Sequence, residues 1–309
     1  MDENLRVCIS YVSFIVFFPS RGIYMSDTRE VRNEIFGGDA IKSQVAQSAE
    51  QLKRDLGYEI PVDTVPLPSS GKVYPSDSPL HQRTTIDIKA MTAREEDILT
   101  SRALIKNGTV ITELLKSCIV DKTIDVKKML SGDRNAVMVA LRITGYGADY
   151  RVEVECPACS EKSTQEFNLV ELPVKRLAIE PVREGENLFE LRLPVSQKLI
   201  QFKFLTGADE EDISVTQERK KKAGAQVDTL VTTRLAYSIV SVDGRVEKNE
   251  ISKFIRNMPA RDSLTLRKYM DKNEPGIEMK GYIDCRVCGH NEEVQMPMGA
   301  SFFWPDTGR

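Results

Sequence analysis

"VEVECPACSEKSTQEF", residues 152–167, sets a Cys-x-x-Cys between two runs that alternate apolar and polar side chains. The arrangement returns downstream as "GYIDCRVCGHNEEVQM", residues 281–296. Alternation of period two marks a strand with one buried face. Each stretch therefore predicts a strand, a tight turn and a second strand: 149–155 with 162–168, and 278–284 with 291–297. Two residues between paired cysteines let the chain fold back so that both sulfurs reach one ion. Gly289 can adopt left-handed backbone at the end of the second turn; Ser160 stands at that position in the first.

Cys156, Cys159, Cys285 and Cys288 together make the donor set of a tetrahedral structural zinc site, which leaves no open position for catalysis. Iron is the alternative, because four thiolates suit it also. Disulfides, or two separate redox motifs of the thioredoxin kind, are the other readings. A redox motif of that kind sits at a helix N-terminus, whereas strands flank both pairs here. His290 is placed on the solvent side of its hairpin and not among the ligands.

What precedes each cysteine pair also repeats. "TTIDIKAM" (84–91) and "LIQFKFLT" (199–206) alternate as strands, and each leads into a threonine followed by acidic residues, a helix start. Helices are predicted at about 109–118, 125–130 and 133–144 in the first copy, and at about 226–240, 248–257 and 260–272 in the second. The acidic motif repeats at an offset of 115, Cys118/Ser238 at 120 and the cysteine pairs at 129, as small loop insertions would produce. The expected fold is α+β: two tandem related strand-helix modules, 84–168 and 199–298, joined by a four-cysteine zinc ribbon of two β-hairpins. Residues 169–198 form the connector, with 187–194 pairing with 199–205, and 299–309 an aromatic tail.

Upstream, 1–24 is read as a start-site extension with Met25 the first residue. Its apolar run 8–18 is too short to span a bilayer as a helix. Residues 25–83 are read as an extended, proline-rich arm, with a short helix at 40–56 and a strap at 60–80 outside the core.

The chain has 309 residues, 41% hydrophobic and 29% charged, with a net charge of −3, so nothing drives it toward nucleic acid or acidic membranes. Six cysteines in a chain of this length are too sparse for a secreted disulfide scaffold, and a reducing compartment is expected. Only two histidines occur, His81 and His290, which weighs against a histidine-based active site. Glu95, Glu96, Asp97 and the acidic run 209–212 belong to helix first turns, where negative charge favours the helix dipole. "RKKK" (219–222) reads as a solvated helix end, and "SSGK" (69–72) lacks the full phosphate-loop pattern. No enzyme and no small-molecule substrate are expected. Phe302, Phe303 and Trp304 either cover the protein's own core or anchor a partner.

"LPSSGKVYP" (67–75), "MTAREEDILTSRALIKNGTVITELLKSCIVD" (91–121), "LSGDRNAVMVALRITGYGADYRVEVECPAC" (130–159) and "CRVCGH" (285–290) together resemble the T4-type bacteriophage baseplate protein family over residues 64–298. The resemblance implies a structural or assembly protein of a contractile-tailed phage: a hub component, or a hub assembly chaperone absent from the finished particle. It implies partners among the tail and baseplate hub proteins, the host cytoplasm as the place of assembly, and the four cysteines as metal ligands. The rival class is a zinc-ribbon nucleic-acid-binding or transcription-related protein, for which Lys162 and Arg286 lie beside or within the turns. Such a protein would show a basic patch and salt-dependent binding.

Overall fold

The alternating stretch at 84–91 forms β2 (Thr85–Lys89), antiparallel to β1 (Val62–Pro66) in the register Val62↔Lys89 to Pro66↔Thr85. Both belong to the compact unit Ser43–Arg309. Within it the structure, a computed structural model, describes residues 60–224, 229–296, 298 and 300–303. The expectations for 1–24 and for a helix at 40–56 lie outside the described residues, as does Trp304.

Three helices follow β2: α1 (Ala93–Thr100), α2 (Arg102–Asn107) and α3 (Val110–Cys118). Then come a 3-10 turn (Val126–Lys128), α4 (Ser131–Tyr146), and the antiparallel pair β3 (Asp149–Glu155) and β4 (Lys162–Asn168). The connector contributes β5 (Val174–Lys175). Its later part, β6 (Phe189–Arg192), pairs with β7 (Leu199–Phe202), and β7 pairs with β8 (Ile239–Val242). Helices α5 (Gly207–Lys222), α6 (Leu230–Ser238), α7 (Lys248–Asn257) and α8 (Ala260–Asn273) complete this half. The last strands are β9 (Gly276–Ile277), which pairs with β5, and β10 (Lys280–Asp284), which pairs with β11 (Asn291–Gln295).

The mixture of helices and small antiparallel sheets is α+β, as the sequence predicts. Leu67, Ile88, Leu115 and Val137 from the first half share one apolar core with Phe202, Leu266 and Phe303 from the rest. Phe189, Phe202 and Phe204 pack within it with ring centroids 4.8–5.9 Å apart, and Tyr269 meets Phe202 edge-on. Polar bonds knit the two halves around the start of α4. Ser131 N donates to Leu205 O at 2.9 Å and Gly207 N to Met129 O at 3.0 Å. Arg134, Thr112 and Lys127 surround the Glu211 carboxylate.

Four local expectations are corrected. The strap at 60–80 is part of the core: Leu67, Val73, Tyr74 and Leu80 are at most 4% exposed. Its prolines break regular structure without preventing burial, because turns and side chains satisfy the backbone. The helix predicted at 226–240 ends at Ser238, and the β-branched run after it is strand β8, held by β7. The strand predicted at 278–284 begins only at Lys280 as β10, and a separate two-residue strand, β9, precedes it. An extra helix, α2, precedes α3, closed by Gly108 at φ 71°. At the C-terminal end the choice is resolved for the described residues. Phe302 and Phe303 are 0% exposed, and Arg142 donates to Phe302 O at 3.1 Å, so they cover the protein's own core.

Gly132 marks the tightest crossing. A Cβ there would lie 1.7 Å from the Pro275 carbonyl oxygen, backbone held between the end of α8 and β9. Gly132→Ala is expected to lower stability by about 3 kcal/mol or more, the upper range for overpacking that backbone cannot relieve. The urea midpoint checks this, and a shift within error of wild type would contradict the packing.

Candidate metal centre

Each cysteine pair sits at the tip of an antiparallel strand pair. β3 and β4 run in register from Asp149↔Asn168 to Glu155↔Lys162, and β10 and β11 from Lys280↔Gln295 to Asp284↔Asn291. The period-two pattern turns Val154 and Phe167 of one pair, and Ile283 and Val294 of the other, into a small shared cluster with Cys156 and Cys285. Gly281 lets the Phe167 ring cross, since a Cβ there would come within 2.2 Å of it. Apolar faces meet, and charged faces point outward.

The two tips are built alike. Ser160 N donates to Cys156 O at 2.8 Å, and Gly289 N to Cys285 O at 2.8 Å. Cys156 N donates to Glu161 O, and Cys285 N to His290 O, at 2.8 and 3.0 Å. Ser160 adopts the same left-handed backbone as Gly289, φ 58° against 68°. The missing glycine alters the strain and not the shape.

The four sulfurs lie within 4.8 Å of one another. The close pairs run between the tips: Cys156 Sγ to Cys288 Sγ at 3.7 Å and Cys159 Sγ to Cys285 Sγ at 3.6 Å. A tetrahedron with metal–sulfur bonds of ~2.3 Å has edges of ~3.8 Å, so this spacing fits one zinc ion. Cys156 and Cys285 are buried at 2% exposure, while Cys159 and Cys288 face out.

Backbone donors favour thiolates here. The N–H groups of Cys288 and Val287 point at the Cys285 sulfur and pull its thiol down to about 6. The Glu161 N–H does the same for Cys159. There the competing Cys288 sulfur, burial and the other two sulfurs prevail, and the thiol is pushed up to about 12. Four sulfurs this close cannot all carry charge without a cation between them, so the chemistry of the donor set fits a metal.

The other candidates resolve as structure. His290 Nε2 lies 2.9 Å from Glu292, on the outer side of its hairpin. His81 Nδ1 lies 2.7 Å from the Tyr74 carbonyl oxygen. Cys118 is fully buried and its thiol is pushed up to about 12 by burial and by Glu95, which makes it unreactive. "SSGK" belongs to the buried loop, and Lys220 of "RKKK" binds the hydroxyls of Thr229 and Thr233 at 2.7 and 3.0 Å.

Glu95 does more than meet a helix dipole. It is fully buried, accepts from Thr92 N at 2.9 Å and from Ser117 Oγ, and pairs with Lys89 Nζ at 3.2 Å. Burial alone would raise its pKa, but the Ser117 and Thr92 donors and Lys89 outweigh it and hold the carboxyl at about 2. A depressed carboxylate contributes stability that is full above its unfolded value, near 4.5, and is lost as pH falls through 2. Glu95→Gln is therefore expected to remove part of the acid sensitivity between pH 4.5 and 2, read from unfolding midpoints across that range. An unchanged pH profile would contradict the assignment.

Two buried carboxylates went unread in the sequence. Asp133 and Asp262 are each 0% exposed, and each is the third residue of its helix, α4 or α8. Asp133 accepts from Ser69 N, Ser69 Oγ and Tyr74 OH at 2.6–3.0 Å. Asp262 accepts from Val195 N and Ser196 N, both at 2.8 Å. Each pins the connection between two paired strands. Their only advance signal is a spacing of 129, the same as that of the cysteines.

A protein-family model described as T4 bacteriophage base plate protein matches residues 61–304. No curated protein and no solved structure matches the chain. Among the described residues no helix is long and apolar enough to cross a membrane.

Proposed function

The chain belongs to the family of T4 bacteriophage base plate proteins, and we propose that it works in the baseplate hub as a docking protein held rigid by one zinc ion. It is either a hub component or a chaperone that builds the hub in the host cytoplasm and then leaves. Its partners are other baseplate proteins, and its role is docking and not catalysis. The observation that supports the docking role is the close approach of four sulfurs from two separate hairpins. One ion there would fix 149–168 against 280–295. Structural zinc contributes roughly 10–16 kcal/mol apparent, as much as the whole stability of an ordinary domain, about 5–15 kcal/mol.

We read the chain as an internal duplication folded around that ion. Lys89, Thr92 and Glu95 form an ion pair and helix cap that Lys203, Thr206 and Asp209 repeat, with Lys–carboxylate distances of 3.2 and 2.8 Å, which shifts the offset of the acidic motif from the expected 115 to 114. Asp133 and Asp262 repeat the anchoring role, and the tips repeat every backbone bond described above. The two close sulfur contacts exchange with each other when the copies are exchanged, as a local twofold axis through the ion requires.

The nucleic-acid reading loses ground on charge. Residues 149–168 and 280–295 hold eight acidic side chains against four basic ones, a net −4 where the whole chain carries −3. Outward faces of this sign repel phosphate. Mass spectrometry of purified tails from the phage that encodes the chain tests the role. A hub component appears in stoichiometric amount, and a chaperone is absent although tails fail to assemble without it. Normal tails from a phage lacking the gene would overturn both.

A further inference from the structure

Helices α7 and α8 are cationic in a chain that is not. Residues 248–273 hold seven basic side chains against three acidic, a net +4 where the whole chain carries −3. Of the three, Asp262 is buried, and Glu250 pairs with Arg245, outside the segment, at 3.2 Å. All seven basic side chains are exposed, and among the described residues none of them forms an ion pair. Two stand against the helix dipole: Lys248 is the first residue of α7 and Arg261 the second of α8, where a cation is disfavoured. Local stability does not place them there.

Helix α8 sorts its charges onto one side. Asp262, Leu266 and Asn273 are buried, and Tyr269 and Met270 pack on the core. The exposed positions are 260, 261, 264, 267, 268, 271 and 272, which recur in steps of three and four and so share one helix face. That face carries Arg261, Arg267, Lys268 and Lys272 against Asp271 alone. Leu264 stands among them, 44% exposed, with Arg261 three residues before it and Arg267 and Lys268 three and four after.

The first copy shows that the fold can close this face. At the offset of 129, Met138, Val139 and Ile143 of α4 stand where Arg267, Lys268 and Lys272 stand in α8. Met138 and Val139 are at most 4% exposed, and Ile143 packs on the main core. Arg142, in the place of Asp271, is buried and donates to Phe302 O. One face is filled by the chain itself, and its counterpart is left open and cationic.

Four cations around an apolar side chain select an occupant. Guanidinium groups match carboxylates two bonds at a time, and Leu264 needs an apolar partner to leave water. A sugar-phosphate backbone would meet the cations but leave Leu264 uncovered and set its charge against Asp271. We propose that the outer face of α8 is a docking surface for an acidic segment of another baseplate protein, one with an apolar residue among its carboxylates. The unpaired cations steer that segment to the face. The inference rests on the baseplate reading of the preceding section, and the comparison of the two faces on the duplication.

The test is complementation of a phage lacking the gene by the full-length chain. Restoration by wild type establishes the baseplate role first, and failure at that step removes that reading whatever α8 does. Arg267→Glu combined with Lys268→Glu reverses the face at two exposed positions. Melting is expected to stay at wild type while phage yield falls by at least about tenfold, as like charges meet across the interface. Arg267→Lys combined with Lys268→Arg keeps the charge and is expected to keep most of the yield. Wild-type yield from the reversed pair, or an equal loss from both pairs, overturns the proposal. Carbodiimide cross-linking of assembling extracts that contain wild type, which joins lysine to carboxylate without a spacer, covers the case in which the reversed pair does not fold. Lys268 or Lys272 should then be found by mass spectrometry joined to an aspartate or glutamate of another baseplate protein. Links only to a second copy of the chain, or none from α8, overturn the proposal. So does retention of double-stranded DNA at physiological salt by wild type that the reversed pair loses.

Discussion

Cys285→Ser empties the metal centre and exposes the hairpin on the far side of it: this is the largest effect expected of any single substitution. Three thiolates and a hydroxyl hold zinc far less tightly than four thiolates, because the ion favours soft sulfur donors. Dialysis against a mild chelator should take the variant from one zinc per chain to nearly none, with wild type unchanged. The consequence reaches the other hairpin. Val154 and Phe167 cover themselves with Ile283 and Val294, and of these four only Phe167 also packs against the main core. Without the ion the small cluster must hold the tips of the hairpins together, with Phe167 as its link to the main core. Buried apolar side chains contribute only about 1.5–3 kcal/mol each. Trypsin should then cut at Arg151 and Lys162, both exposed on the first hairpin, although the substitution lies on the second. Protection of those sites in the variant, read by mass spectrometry of the fragments, would mean that the hairpins do not depend on a shared ion.

Asp133→Ala is the second large effect. The change removes the acceptor of Ser69 N, Ser69 Oγ and Tyr74 OH at once, in a place water does not reach. Burial pushes the Asp133 carboxyl up, the Ser69 and Tyr74 donors oppose that, and the Tyr74 hydroxyl is pushed well above its ordinary range. Each buried donor left without its acceptor costs about 1–3 kcal/mol, and three are stranded here. Asp262→Ala strands only two backbone N–H groups, and each such group costs about 1–3 kcal/mol. Chemical unfolding of the two variants should rank Asp133→Ala as the more damaging. Equal and small losses would show that these carboxylates are not the anchors of their loops.

The gathering of the four cysteines was legible in the sequence because its signal is local and doubled. Cysteine spacing and period-two alternation both fall within sixteen residues, and each copy checks the other. The strands around Cys156 carry the predicted bounds, 149–155 and 162–168, and the helix at 248–257 does too. Signals that depend on distant partners were not legible. Strand β8 follows α6 without a break in apolar character, and only its pairing with β7 makes it a strand. Prolines in 60–80 read as a linker, because the pocket that buries Leu67, Val73 and Tyr74 is made by residues elsewhere in the chain. A lone aspartate such as Asp133 has no pattern of its own. Its role appears only when Ser69, sixty-four positions away, is brought against it.

Zinc-edge X-ray absorption on the purified full-length chain reads the shared ion directly. One zinc per chain with four sulfur neighbours at about 2.3 Å is the expected spectrum. A metal-free protein whose Cys156 and Cys285 are alkylated independently, or a spectrum with only two sulfurs per ion, would contradict it.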